Sequence, residues 1–164
     1  MTPLHIEPLT SEAFFEFGDV IEMDPRRSQP MNRGMAERFA ELATVETYGE
    51  GARAAISLVH SKRYELPHNV DLLERHPLGS QAFIPLDQTP FIVVVATGSD
   101  DHPGELHAFS TNGRQGINYR AGTWHSPLLT PFDAMGFVCV DRTGAGQNCE
   151  EWEVPESRRF LIEM

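Results

Sequence analysis

Basic residues are scarce in this sequence. Its 164 residues include 13 Lys and Arg against 24 Asp and Glu, which gives a formal charge of −11 at pH 7. Proteins that bind nucleic acid or an anionic membrane surface need a basic face to contact phosphate groups. The composition therefore argues against nucleic-acid and membrane partners, and its balance is typical of a cytoplasmic protein.

Cysteines and long apolar runs are also few. Cys139 and Cys149 lie in no metal-binding spacing and are too few for a disulfide framework. The longest apolar run, residues 91–96, is too short to span a bilayer, and the first residues lack the pattern of a signal peptide. We therefore expect one domain over residues 1–164, which is long enough to bury a core without disulfides.

Short strand-like runs are what the sequence does contain. From Ala54 onward, apolar runs are separated by Pro, Gly, Asn and Asp. Strands spaced at roughly 8–12 residues with turn signals between them predict an all-β sandwich or barrel. The predicted strands are residues 54–59, 64–66, 70–73, 81–84, 91–96, 105–109, 116–119 and 135–140.

Helical signals are weak. Thr10 or Ser11 can cap a brief helix that Gly18 ends, and residues 35–43 have some helical spacing of apolar side chains. Residues 24–34 are predicted as a loop, because they are polar and contain proline. Residues 150–164 are expected to pair at a sheet edge or to pack on a neighbouring subunit.

Two separated segments carry the polar residues of interest. In the first, Glu74 and His76 lie two positions apart, so on a strand they face the same side, while Arg75 faces the other. A Pro-Leu-Gly turn follows His76 and can reset the alternation. Gln81 can therefore open the next strand and face the same interior as Glu74 and His76.

The second segment ends in a histidine. Gly122 offers a turn, and His125 follows three residues later. Residues 82–115 separate the two segments, which is room for two or more strands and their hairpins. The two segments can therefore meet across a barrel.

This arrangement resembles the paired motifs of cupins, which are small β-barrels of the jelly-roll type. Their first motif is His-x-His, four further residues and Glu, and their second is Pro-x-Gly-x-x-His. The sequence matches these motifs at His76, Gly122 and His125 and departs from them at Glu74, Gln81 and Arg120. The resemblance implies an all-β, cupin-type β-barrel with a few short helices.

Longer stretches resemble the ureidoglycolate lyase family of allantoin degradation. Residues 74–85 (Glu-Arg-His-Pro-Leu-Gly-Ser-Gln-Ala-Phe-Ile-Pro) carry the most specific likeness, and residues 9–21, 32–34, 111–113, 116–119 and 124–128 add to it. The resemblance implies a homodimeric carbon–nitrogen lyase of the amidine-lyase type, which splits (S)-ureidoglycolate into glyoxylate and urea. It also implies nickel in some members.

The chemistry of such a substrate indicates which residues act. Elimination needs a base for the hydroxyl proton and an acid or cation to help urea leave. His76 and His125 are candidates for proton transfer, because imidazole titrates near neutral pH. Glu74 and Gln81 complete the catalytic candidates, and the resemblance adds Asn32 and Tyr119 as substrate-binding candidates.

Two arrangements of these residues remain open. In one, Glu74, His76, Gln81 and His125 bind a divalent metal, since two oxygen and two nitrogen ligands suit nickel, zinc or manganese. The metal and Glu74 would leave a net charge of about +1, which favours an anionic substrate. In the other arrangement no metal is bound, Glu74 orients a histidine, and Gln81 bonds the ureido group.

Other functions also remain open. An older name for the family implied hydrolysis with release of ammonia, which would make the protein an amidohydrolase. A different cupin enzyme is a further alternative, such as a sugar isomerase; a dioxygenase is disfavoured because the usual His-rich iron set is absent. The last alternative is a non-enzymatic cupin that binds a small organic acid.

Overall fold

The computed structural model describes residues 2–98 and 101–164, and strands dominate them. The helices are α1 (Ser11–Phe14) and three short 3₁₀ helices, Pro25–Arg27, Asn32–Gly34 and Glu156–Arg158. The strands are β1 (Thr2–Pro3), β2 (Ile6–Pro8), β3 (Gly18–Ile21), β4 (Ser28–Met31), β5 (Ala36–Phe39), β6 (Arg53–Ser61), β7 (His68–Val70), β8 (Leu72–Arg75), β9 (Gln81–Pro85), β10 (Ile92–Ala96), β11 (Leu106–Ser110), β12 (Gly116–Tyr119), β13 (Trp124–His125), β14 (Met135–Thr143), β15 (Glu150–Glu153) and β16 (Phe160–Ile162). The prediction of an all-β fold with a few short helices is confirmed. No helix in the described ranges is long and apolar enough to cross a membrane.

Two large sheets share one hydrophobic core. A six-stranded sheet has the order β15-β8-β13-β10-β11-β2, and a five-stranded sheet has the order β3-β12-β9-β14-β6. Val93 and Val95 of the first sheet belong to the same buried cluster as Phe83 and Phe137 of the second. Two sheets packed over a common core are consistent with the predicted cupin-type fold.

A second core lies on the opposite face of the six-stranded sheet. There Ile92, Val94 and Ala96 of β10 pack with Val70 of β7 and Ile162 of β16. Strands β1, β16 and β7 form a three-stranded sheet of their own. Because β10 is covered on both faces, every one of its residues is buried, which explains its unbroken apolar sequence.

The N-terminal helix is shorter than expected. Thr10 caps it, with its hydroxyl accepting from the Ala13 N–H at 3.1 Å, but the helix ends at Phe14. Gly18 does not end the helix; it begins β3. A Cβ at Gly18 would lie 1.9 Å from the carbonyl oxygen of Asn118, so glycine is needed for the close approach of β3 to β12.

The predicted helix at residues 35–43 and part of the predicted loop at residues 24–34 are wrong. Strands β4 and β5 pair antiparallel with each other, from Ser28 opposite Phe39 to Met31 opposite Ala36. We call residues 24–39 the arm. Its two strands form a separate two-stranded sheet, so backbone pairing within the hairpin has overridden the helical spacing.

Two further strand predictions need correction, whereas the remaining six are confirmed with shifts at their ends. Residues 64–66 are not a strand, because Pro67 has no N–H to continue a ladder and the Tyr64 N–H bonds the Thr130 carbonyl instead. The run 70–73 is divided at Asp71 between β7 and β8. The C-terminal stretch pairs as expected, with β15 at the edge of the six-stranded sheet beside β8 and β16 between β1 and β7.

Candidate functional site

Glu74 and His125 are direct neighbours across two strands. Glu74 on β8 is the partner of His125 on β13, and His125 also lies opposite Val95, whose side chain belongs to the core between the large sheets. His76 follows β8 and its Nε2 lies 3.8 Å from the Glu74 Oε1. The Nε2 of His125 lies 3.5 Å from the same oxygen. One carboxylate and two imidazoles therefore meet inside the sheet pair.

Backbone carbonyls set the orientation of both histidines. His76 Nδ1 lies 2.8 Å from the Asn148 carbonyl oxygen, and His125 Nδ1 lies 2.9 Å from the Thr123 carbonyl oxygen. A carbonyl only accepts, so each Nδ1 carries the proton and donates it. In the neutral ring each Nε2 is then free of hydrogen, and both Nε2 atoms are buried without a hydrogen-bond partner. Two imidazole lone pairs thus point toward the Glu74 carboxylate.

Glu74 is held in its charged form. The nearby His125 and, after it, any positive charge on His125 or His76 lower the pKa of Glu74 below its ordinary value. Partial burial of the carboxyl group acts in the opposite direction and is outweighed. The site therefore keeps a carboxylate available at neutral pH as a ligand or as a partner for an imidazolium.

Tyr119 and its cross-strand neighbour Gln81 lie beside this group of three side chains. The Tyr119 ring stacks on the His125 ring, with 4.0 Å between centroids and 14° between planes. Gln81 is the cross-strand partner of Tyr119. Burial raises the pKa of the Tyr119 hydroxyl far above its ordinary value. The Tyr119 hydroxyl and the Gln81 Oε1 are both buried without a partner, so they offer unused polar groups to a ligand.

The predicted alternation of the first segment agrees with these positions. Arg75 faces away from the site, with its guanidinium 4.7 Å above the Trp124 ring and its Nε 2.6 Å from Glu150. The turn between His76 and Gln81 changes the facing of the chain, as its sequence indicated. Strand parity thus separates Arg75 from Glu74 and His76.

A small cavity opens at this group. Its volume is about 210 Å³, and it is lined by Val59, Ser61, Tyr64, Glu74, Phe83, Tyr119, His125, Ser126, Pro127 and Leu128. A larger surface groove of about 650 Å³ beside residues 21–23 and 84–88 contains none of the candidate residues. The chemistry, rather than the size of the cavity, therefore identifies the site.

Comparison with known proteins agrees with this geometry. The sequence model of the family described as ureidoglycolate lyase matches residues 1–161. The chain belongs to the ureidoglycolate lyase family. It is 49% identical over 164 residues to a ureidoglycolate lyase of Pseudomonas paraeruginosa, covering 99% of this chain and 97% of that protein. Ureidoglycolate lyases of Pseudomonas entomophila and Pseudomonas fluorescens are 49% and 50% identical over 163 residues, with 99% of this chain and 98% of each protein covered.

In this member of the ureidoglycolate lyase family, the inward groups fit a divalent cation. One ligand atom each from Glu74, His76 and His125 lies within 4.8 Å of the others. A carboxylate oxygen and two neutral imidazole nitrogens suit a borderline divalent ion, and hydrogen bonds from Nδ1 to carbonyls are usual for ligating histidines. A second group, Glu74 with Cys149 and Glu151, shares the Glu74 carboxylate and extends to exposed residues.

The structure does not bring every candidate residue to the cavity. Asn32 lies at the tip of the arm, is exposed, and does not line the cavity of its own chain. His76 and Gln81 lie next to Glu74 and Tyr119 but are not among the residues that line the cavity. Conversely, the walls include Ser61, Tyr64 and Ser126, which sequence reasoning did not select. Ser126 could have been found because it follows His125 directly. Ser61 is the last residue of β6 and Tyr64 lies three residues beyond it, and nothing in the sequence linked either to the site.

Proposed function

We propose that this protein cleaves (S)-ureidoglycolate to glyoxylate and urea, as a step of allantoin degradation. The observation that carries the proposal is the pair of buried Nε2 atoms without hydrogen-bond partners that face Glu74, in a chain that matches the family over residues 1–161. The cavity of about 210 Å³ suits a molecule as small as ureidoglycolate. The proposed enzyme is a lyase that breaks a carbon–nitrogen bond without water.

The reaction requires two proton movements. Ureidoglycolate bears a carboxylate, a hydroxyl and a ureido group on one carbon. Removal of the hydroxyl proton lets the oxygen form the carbonyl of glyoxylate, while the bond from this carbon to nitrogen breaks. The departing nitrogen takes up one proton, and urea leaves. The proton lost equals the proton gained, so no water or redox partner is consumed.

A divalent cation held by Glu74, His76 and His125 would act as a Lewis acid that lowers the pKa of the substrate hydroxyl and stabilises the developing alkoxide. The family resemblance makes nickel the ion we propose. In this arrangement the Asn148 and Thr123 carbonyls hold the two rings in place. The Gln81 Oε1 and the Tyr119 hydroxyl, which have no other hydrogen-bond partner, bind the ureido group and position it for protonation.

The same residues also support a route without metal. His125 Nε2, the nearer to Glu74 at 3.5 Å, would take the hydroxyl proton, and the carboxylate would stabilise the resulting imidazolium. The proton on His125 would then pass to the leaving nitrogen by way of the neighbouring His76 Nε2, which restores both neutral rings. A lone pair on each Nε2 serves either route, so metal content decides between them.

We further propose that residues 1–164 act as one domain and that the protein is a homodimer in the cytoplasm. The family resemblance supports the dimer, and so does strand β6. This edge strand pairs with β14 alone among the described strands, and it exposes Ile56 by 77% and Leu58 by 74%. Long apolar edge strands are normally covered in soluble proteins.

Turnover tests the proposal directly. Purified protein is incubated with (S)-ureidoglycolate while urea, glyoxylate and ammonia are measured. We expect urea and glyoxylate in equal amounts and no ammonia, and a loss of about 100-fold or more in kcat for His125→Ala. His5→Ala, at an exposed histidine outside the site, is the matched control and should keep wild-type activity. Ammonia would instead identify an amidohydrolase, and no consumption of substrate would refute both enzymes.

A further inference from the structure

The arm reaches into solvent with little to cover it. Its strands pair only with each other, and every residue of β4 is exposed. Met31 is 42% exposed and Met35 is 86% exposed, on the two sides of the tip. A two-stranded hairpin alone is at best marginally stable in water, so the arm is expected to rest against another surface.

The tip of the arm has a strained backbone. Asn32 and Arg33 have φ values of 53° and 57°, and Gly34 follows with a φ of 85°. Left-handed backbone costs free energy for residues other than glycine, although Asn tolerates it and tight hairpin turns use it. Arg33 is the residue of this turn for which the cost is largest. Among the described residues, the Arg33 guanidinium has no hydrogen bond or ion pair. The strained turn therefore presents an unpaired cation.

The cavity lacks such a cation. No Lys or Arg lines it, while Glu74 contributes a negative charge. If the proposed function is right, the substrate is a carboxylate, and an arginine is the side chain best shaped to bind it. Within one chain, therefore, no basic side chain at the cavity offers a hydrogen-bonded contact to the substrate carboxylate.

We propose that the arm of one copy lies along the exposed strand β6 of a second copy and places Arg33 at the mouth of that copy's cavity, where it binds the substrate carboxylate. Two-fold symmetry would make the exchange reciprocal, so that each chain gives an arm and receives one. This inference rests on the proposed function for its ligand.

Charge and surface indicate a second copy as the partner. The arm has four arginines against Asp24 and Glu37, a formal charge of +2, which leaves −13 for the rest of the chain. The arm is therefore attracted to the body of another copy. Strand β6 carries Arg53 and no acidic residue, so the attraction acts through the rest of the body. What β6 offers is the exposed pair Ile56 and Leu58 and an open edge for a further strand.

The position of β6 connects docking to the site. Val59 lies on β6 and Ser61 is its last residue, and both line the cavity with Glu74 and His125. If the tip of the arm lies at the Ser61 end of the strand, it is beside the cavity of the copy that receives it. Its methionines, which adapt to irregular apolar surfaces, would cover the exposed side chains of β6.

Mixing two impaired variants tests the exchange. A dimer of His125→Ala with Arg33→Ala contains one site in which an intact His125 meets an intact Arg33, but only if the arm acts on the other copy. We expect Arg33→Ala alone to raise KM for ureidoglycolate by about 10-fold or more, and the mixture, after subunit exchange, to regain low-KM turnover. Arg38→Ala, on the same arm but in β5, is the matched control and should keep the wild-type KM. No recovery on mixing, or a wild-type KM for Arg33→Ala, would overturn the proposal.

A second measurement does not depend on activity. Leu58→Glu places a charge on the docking strand and should convert the dimer to a folded monomer, as measured by light scattering and circular dichroism. Leu86→Glu, at another exposed leucine, should stay dimeric. If the wild type is dimeric but consumes no ureidoglycolate, the proposed function fails while the docking remains testable. A dimeric Leu58→Glu protein would refute docking on β6.

Discussion

The carbonyls of Asn148 and Thr123 define the state of both site histidines. Each carbonyl accepts the Nδ1 proton of one ring. In the neutral rings both Nε2 atoms therefore carry a lone pair beside one carboxylate. The same three side chains can therefore form a metal site or a proton-transfer site without any rearrangement. What differs between these two sites is only the presence of the ion.

This difference gives a prediction for single residues. We expect about one divalent ion per chain in protein purified without chelator, and loss of turnover on chelation that nickel restores. Removing an outer hydrogen-bond partner already weakens metal affinity about 10–100-fold, so His76→Ala should weaken it by more. Elemental analysis and calorimetric titration of the wild type, of His76→Ala and of the control His5→Ala measure this. Full turnover in protein shown to be metal-free would reject the metal and leave the histidines as acid and base.

Residues close together in sequence were the ones that could be predicted. Glu74 and His76 could be placed side by side because they lie two positions apart on a strand, and one turn was enough to predict the facing of Gln81. Asn148, in contrast, lies 72 positions after His76 and contributes a backbone carbonyl, so its residue type carries no signal for this role. Cavity walls such as Tyr64 were missed for the same reason, since only the fold brings them near the site.

Close packing between strands is the main constraint on individual elements. At Gly18, where β3 meets β12, a Cβ would lie 1.9 Å from a backbone oxygen that belongs to the ladder. We expect Gly18→Ala to lower the free energy of unfolding by about 3 kcal/mol, at the upper end of the usual cost of overpacking. Urea denaturation followed by circular dichroism measures the change.

The control for this variant is Gly136→Ala on β14. Its Cβ would approach the end of the flexible Leu86 side chain at 3.2 Å, so the neighbour can move and the cost should stay below about 1 kcal/mol. Equal destabilisation by the two substitutions would show that the close approach of β3 and β12 is not what requires Gly18.

Strands were easier to predict than their partners. The continuous apolar run of β10 was recognised as a strand, and the structure adds that it is covered on both faces. The segment after Gly34 was mistaken for a helix, because Met35 and Phe39 lie at helical spacing. Helical spacing of apolar residues normally indicates a buried helix face, but here no such face exists, since Met35 is almost fully exposed. Without a buried face, backbone pairing decided the structure.

On the scale of the whole molecule, the two thiols differ in how far the protein must open before a reagent can reach them. Cys139 lies in the core between the large sheets, and burial, with smaller effects of Asp141, raises its pKa to about 12. At pH 8 only about one molecule in 10⁴ would carry its thiolate, which is the reactive form. Cys149 is exposed, although partial burial and the charges of Glu74 and Glu151 raise its pKa as well.

We therefore expect one thiol per chain to react with a disulfide reagent in the native protein at pH 8. The second should react only at the rate of global unfolding, and added urea should accelerate it. Cys149→Ser isolates Cys139 and should show no fast phase. Rapid reaction of both thiols in the native state would mean that the core around Cys139 opens locally.

Strand β10 links the two cores and leaves its neighbouring residues with different constraints. Val94 and Val95 are adjacent in sequence, yet one packs toward the three-stranded sheet and the other toward the sheet that carries Tyr119. The effects of substitutions at Val94 and Val95 on stability should therefore be independent of each other. A substitution at Val95 should instead be coupled to changes at Phe137, which lies far away in sequence but in the same core. Redesign of this core therefore has to treat residues that are distant in sequence as one group.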